Sequence, residues 1–167
     1  MRIAIGIVVA LLVSGFVRHL LAPSYHVPDT VRGEARIHSA ATDRFEHDMI
    51  AEGQKDDVTL EAAVYGTGAT PDVFFVLANG MAAENTDELF SGFLQGVESA
   101  GVSVDRARTI TGHHGDAEYR CVPLSGRAID AAACIWREDA SVGLTLDLSP
   151  SGDATGALIA AYDATHA

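Results

Sequence analysis

His113 and His114, followed by Asp116, form the grouping in this chain that comes nearest to metal-ligand chemistry. Imidazole nitrogens and carboxylates bind zinc and other divalent ions, and His38, His47 or Asp48 would have to complete such a site. Neighbouring side chains on an extended backbone point to opposite sides, so His113 and His114 cannot both face one ion there. With Gly112 and Gly115 beside them, residues 111–116 read equally as a solvated polar turn between strands. His47 stands four residues after Asp43, the spacing of an exposed helical pair. Nucleophilic chemistry has weaker support. Ser91-Gly92 and Ser125-Gly126 lack the G-x-S-x-G frame, and Ser91 falls inside a helical pattern where a strained elbow cannot form. Gly66-Thr67-Gly68 is too short for a phosphate cradle and has no Gly-Lys-Ser/Thr after it. Asp105, Glu118 and Asp147 read as the solvated face of a sheet. No cofactor motif is present, and the residues point away from catalysis.

Cys121 and Cys134 are the only cysteines, with 12 residues between them. In an oxidising compartment such a pair closes a short loop, for about 3 kcal/mol of stabilisation. In a reducing one they would be two small buried hydrophobes. Neither belongs to a C-x-x-C pair, which argues against zinc.

The compartment is set by the N-terminus. Residues 3–17 are apolar but for Ser14 and glycines, Arg18 and His19 follow, and the stretch resumes to Ala22 before Pro23. Ile3, Val17 and Leu21 therefore belong to one segment of about 20 residues, roughly 30 Å as a helix, with Arg18 snorkelling. Cleavage signals are weak (Val13-Ser14-Gly15 or Leu20-Leu21-Ala22), so residues 1–22 read as a single-pass signal anchor in the cell membrane. The alternative is a cleaved signal and a secreted protein. Arg2 on one side and Arg18, Arg32 and Arg36 on the other do not fix the orientation. Long domains translocate regardless of charge, however, and the cysteine pair suits the outside.

The chain has 167 residues and a formal charge of −12, enough for one domain. An acidic surface argues against nucleic acid and anionic headgroups as partners. Lys55 is the only lysine, and the other ten basic residues are arginines.

Residues 23–39, with Pro23, Pro28 and Gly33, read as a linker, leaving 40–167 as the extracytoplasmic domain. Asp43 and Glu46 have capping-box spacing for a short helix that Gly53 can end. Val58, Leu60, Ala62 and Val64 alternate as in a strand with one buried face, while 73–78 is a continuous apolar run suited to a central strand. Asn85 and Glu88 open a helix striped by Leu89, Phe90, Phe93, Leu94 and Val97, with Gly101 after it. Strands are predicted over 102–110, 117–123, 128–137 and 142–148, and a final helix from Ser149-Pro150 with Leu158, Ala161 and Tyr162 inward. This order predicts an α+β domain: after the transmembrane helix, a mainly antiparallel sheet covered on one face by helices, in two layers.

Cys134-Ile135-Trp136, the acidic Glu138-Asp139, then Val142-Gly143, with Cys121 upstream, make a further pattern. In it the chain resembles small actinobacterial membrane-anchored or secreted proteins of unassigned function. The resemblance spans residues 58–166, rests on Cys121, Cys134, Trp136 and Gly143, implies an extracytoplasmic disulfide domain, and supplies no catalytic residues to carry over. Trp136 shares a strand side with Cys134 and reads as core; facing out with Tyr65 and Tyr119, it would anchor a partner. The expected role is non-catalytic: binding or sensing an unidentified protein partner, or supporting envelope assembly. The rival is a secreted hydrolase or metal-binding domain using His113 and His114.

Overall fold

The computed structural model describes residues 25–55, 58–81, 85–126, 129–148, 153 and 155–167. The proposed anchor, residues 1–22 with Ile3, Val17 and Leu21, lies outside them. Among the described residues no helix is long and apolar enough to cross a membrane.

The expected α+β class and antiparallel sheet are present. The elements are β1 (Thr30–Val31), β2 (Glu34–Ala35), α1 (Ala40–Lys55), β3 (Thr59–Thr67), β4 (Thr70–Asn79), α2 (Thr86–Ser99), β5 (Ser103–Val104), β6 (Ile110–His114), β7 (Ala117–Gly126), β8 (Ile129–Glu138), β9 (Ser141–Asp147) and α3 (Gly156–Thr165). β3 to β9 form one antiparallel sheet in the order β3-β4-β9-β8-β7, with β5 and β6 both paired to the far edge of β7. The strand predicted over 102–110 is broken: after β5 the chain makes a 3-10 turn at Arg106–Arg108 and starts again as β6. Arg106 there reaches back to Glu98 on α2 at 3.0 Å.

Helices cover both faces of the sheet, not one. On the first face, Phe45 and Met49 of α1 and Phe90, Phe93, Leu94 and Val97 of α2 pack on Leu60, Val64, Val76, Val122, Leu124 and Leu146. On the second, Leu158, Ala161 and Tyr162 of α3 and Val31 of β1 cover Tyr65, Val73, Phe75, Leu77 and Trp136. β3 is thus buried on both sides, because the small Ala63 and the hydroxyl-anchored Tyr65 occupy the parity that alternation assigns to solvent. Tyr65 donates to the Pro28 carbonyl at 2.6 Å, and burial pushes its pKa well above the ordinary value.

The predicted linker is a structural strap over its described length, residues 25–39. Tyr25 and Asn79 exchange hydrogen bonds at 3.3 and 2.8 Å, and the β1–β2 turn presents Arg32 to Asp147 at 2.9 and 3.3 Å. Asp147 is only 3% exposed and so is not part of a solvated face. Local capping also differs from expectation. Ser39 and Thr42, not Asp43 and Glu46, form the reciprocal cap, at 3.2 and 2.9 Å, which starts α1 four residues earlier. Glu46 instead takes Arg36 in a two-point ion pair. Gly53 lies within α1, where an added Cβ would fall 2.6 Å from Leu60, so its smallness serves helix–strand contact. Asn85 caps α2 as predicted, accepting from Glu88 N–H at 2.8 Å. Residues 149–152, the predicted start of the last helix, lie outside the described residues; the described helix begins at Gly156, whose N–H reaches Asp153.

Candidate functional site: an apolar cleft on the first face

The second face is closed by specific contacts. Cys121 and Cys134 are direct partners across β7 and β8 and are joined by a disulfide. Trp136, two residues on, is fully buried on the same side and is the cross-strand partner of Gly143. A Cβ at Gly143 would collide with the indole, so glycine is required for the ring to lie flat on β9. The Cys, Cys-x-Trp and Gly pattern read from sequence is therefore one packing unit. Tyr162 packs edge-on to Trp136 at 5.3 Å.

A polar cluster fastens α3 over this unit. Tyr162 donates to Glu138 at 2.8 Å, His166 meets the same carboxylate at 2.8 Å, and Tyr25 reaches its other oxygen at 3.4 Å. Burial, reinforced by the Glu138 hydrogen bond, pushes the Tyr162 phenol up to about 12. Tyr25 is raised for the same reasons. All these side chains are committed to one another, so the cluster acts as a clasp.

The histidine pair is split by β6. The residues expected to form a loop are a strand and a two-residue turn at Gly115-Asp116, because His113 pairs with Glu118 and His114 with Ala117. His113 is exposed, while His114 turns to Asp163 of α3 at 2.6 Å. His38 lies 3.9 Å from Asp43 and His47 3.7 Å from Asp48, both exposed on or beside α1. Among the described residues no three His, Cys, Asp or Glu side chains gather to hold a metal. Ser91 is exposed on α2, Ser125 is exposed near the end of β7, and Gly68 belongs to the tight β3–β4 turn with φ +67°.

The first face is different. α1 lies over β3, and α2 lies toward β5, β7 and β8. Beside α2 the sheet carries a small open cleft of about 20 Å³, lined by Val76 and Ala78 of β4, Val142 and Leu144 of β9, Ile135 of β8, and Leu89 and Phe93 of α2. Its lining is wholly aliphatic and aromatic. The enclosed volume is room for about one water molecule, with the rest of the cleft open to solvent. Leu89 and Leu144 remain only partly buried, although each lies in the pattern that predicts burial.

Two sheet rows build the floor. Ala78, Val142, Arg137 and Glu118 are successive partners across β4, β9, β8 and β7; Val76, Leu144, Ile135 and Arg120 form the next row. Each row begins apolar and ends charged. Arg120 is engaged: it pairs with Asp87 and lies 3.7 Å from Glu118, with its guanidinium carbon 6.0 Å from the Phe90 ring centre. Thr86 donates to the other oxygen of Glu118 at 2.8 Å. Arg137 has a buried Nε without a hydrogen-bond partner among the described residues. Sequence reasoning passed over both arginines. The available signal was parity: each stands where alternation with Ile135 or Val122 demands an inward side chain.

Comparison with protein-family models, with curated proteins and with solved structures finds no match to this chain.

Proposed function

We propose that this chain is a single-pass, N-terminally anchored protein whose domain lies outside the cytoplasm and binds, without catalysis, a ligand bearing an aliphatic chain. The cleft carries the reading. On a sheet whose other face is sealed by a disulfide, a tryptophan and α3, apolar space beside α2 is left open. Leaving such surface wet costs on the order of 25 cal/mol per Å², a cost that ligand burial removes.

Export is supported by the apolar segment 1–22 and by the disulfide, which belongs to oxidising compartments. Binding or sensing follows from the cleft. Neither nucleophile nor acid–base pair lines it, so it offers shape and apolar contact, not reaction.

Two measurements test the reading. Fractionated cells should give a full-length mass in the membrane fraction, with Cys121 and Cys134 blocked to alkylation until reduction. Freely alkylated cysteines on the full-length chain would overturn the topology. Nile red, a neutral apolar dye, should brighten on the full-length protein in zwitterionic nanodiscs above the empty-disc signal. Ala78→Leu, which fills the cleft floor, should remove that increment; an increment unchanged by the substitution would sink the cleft as the binding site.

A further inference from the structure

We infer that the strap and α3 form a two-part lid locked through Glu138, so that displacing the strap releases α3 and uncovers Trp136. The two parts come from opposite ends of the domain and meet over the second face. α3 lies against β1 as well as β8 and β9. Val31 of β1 is buried in the same cluster as Leu158 and Ala161 of α3.

The lock is one carboxylate. Tyr25 of the strap donates to one oxygen of Glu138 at 3.4 Å, while Tyr162 and His166 reach the other, each at 2.8 Å. The Tyr25 and His166 rings also meet, with centroids 4.3 Å apart. His166 is tied in turn to the Tyr162 carbonyl at 2.7 Å. Withdrawing Tyr25 therefore loosens both groups that hold the end of α3.

The rest of the hold on α3 is slight. Its buried residues are Ala157, Leu158, Ala161 and Tyr162, two of the four being alanines, and Asp163 reaches His114 of β6 at 2.6 Å. Beneath the helix, the Trp136 Nε1–H is buried with no hydrogen-bond partner among the described residues. A buried donor of this kind favours opening, because water satisfies it. Segments with few buried apolar contacts are the first to open, so α3 depends on the strap to stay closed. The strap is also the stretch that joins the domain to the apolar residues 3–17. A pull or a bound partner on residues 25–37 is thus felt at the far end of the chain, whatever the cleft on the first face binds.

The test uses the full-length protein in zwitterionic detergent micelles. Hydrogen exchange is read by mass spectrometry, and acrylamide quenching reports on Trp136, the only tryptophan in the chain. Glu61→Ala cuts the strap's hold at His26 and Val27, at 2.6 and 3.0 Å, two contacts that involve no residue of α3. Exchange should rise by the same factor in residues 25–37 and in α3, on the order of tenfold for losing a hydrogen bond to a charged group. β4 and β9 should be unchanged, and Trp136 should become more open to acrylamide. Asp163→Ala, made on α3, should in turn speed exchange in the strap, because coupling between two sites is reciprocal. In a Glu138→Ala background, Glu61→Ala should loosen the strap and add nothing at α3. Faster exchange in the strap with α3 and Trp136 unmoved would overturn the coupling. An equal rise in β4 and β9 would overturn it too, since that is general unfolding and not a lid. Transmission to α3 that survives Glu138→Ala would overturn Glu138 as the lock.

Discussion

The two faces of one sheet are put to opposite uses. On the second face, space is filled by exchange between neighbouring strands: Trp136 takes the volume that Gly143 vacates, and Cys121 is bonded to Cys134 one position-pair away. On the first, α2 leaves Val76, Leu144 and Ile135 beside an open cleft, and the row they form runs out into Arg120. Filling that leaves no space gives stability, whereas apolar space left open gives a place for something else.

The contrast can be broken hardest from the sealed face. Trp136→Ala should cost about 3–5 kcal/mol in denaturant unfolding, the range for a buried tryptophan. Replacing both cysteines should cost about 2–5 kcal/mol, measured the same way. Gly143→Ala should lose on the order of 1–3 kcal/mol, since the new methyl must displace an indole packed against backbone.

Changes in the cleft should be milder. Leu144→Ala is expected to cost less than about 2 kcal/mol, below the usual range for a buried leucine, because Leu144 is only partly buried and already borders empty space. Ala78→Leu should cost about 1–3 kcal/mol, because Ala78 is buried and the cleft above it is small, while abolishing Nile red binding. A loss as large as that of Trp136→Ala would mean the cleft face is sealed after all.

The smallest effect sharpens the role of the clasp. The Tyr162 phenol is raised by burial, and next by its bond to Glu138, to about 12. Its stabilising contribution is therefore complete below pH 10 and declines as pH rises from about 10 to 12, where the unfolded chain ionises first. Tyr162→Phe should flatten the stability profile in that window, and an unchanged slope would place the phenol outside the clasp.

Much of this architecture is legible in the residues. The 73–78 run and the 142–148 alternation give central strands, Asn85 and Gly101 bracket α2, and the Cys-x-Trp pattern marks the disulfide unit. Coverage of the second face was not legible, because Ala63 and Ala157 bury without looking like a stripe. The strap over 25–39 was hidden for a related reason: Tyr25, Asn79, Arg32 and Asp147 are polar groups satisfied by residues at least 54 positions away. The cleft is harder still. Periodicity says that Leu89 and Leu144 face inward, but not that the helix above leaves them short of neighbours. Arg137 and Arg120 break the apolar parity of β8 and β7 and mark where that face turns charged.

The central claim, that the first face binds and the second only holds the fold together, is most directly tested by methyl NMR of the full-length protein in zwitterionic nanodiscs. Methyl-labelled protein would be titrated with Nile red. Resonances of Val76, Leu89, Ile135, Val142 and Leu144 should move together and saturate, while those of Val31, Val73, Leu77 and Leu158 stay in place. Saturable shifts at Leu158 and Val73, with the cleft methyls unmoved, would contradict it.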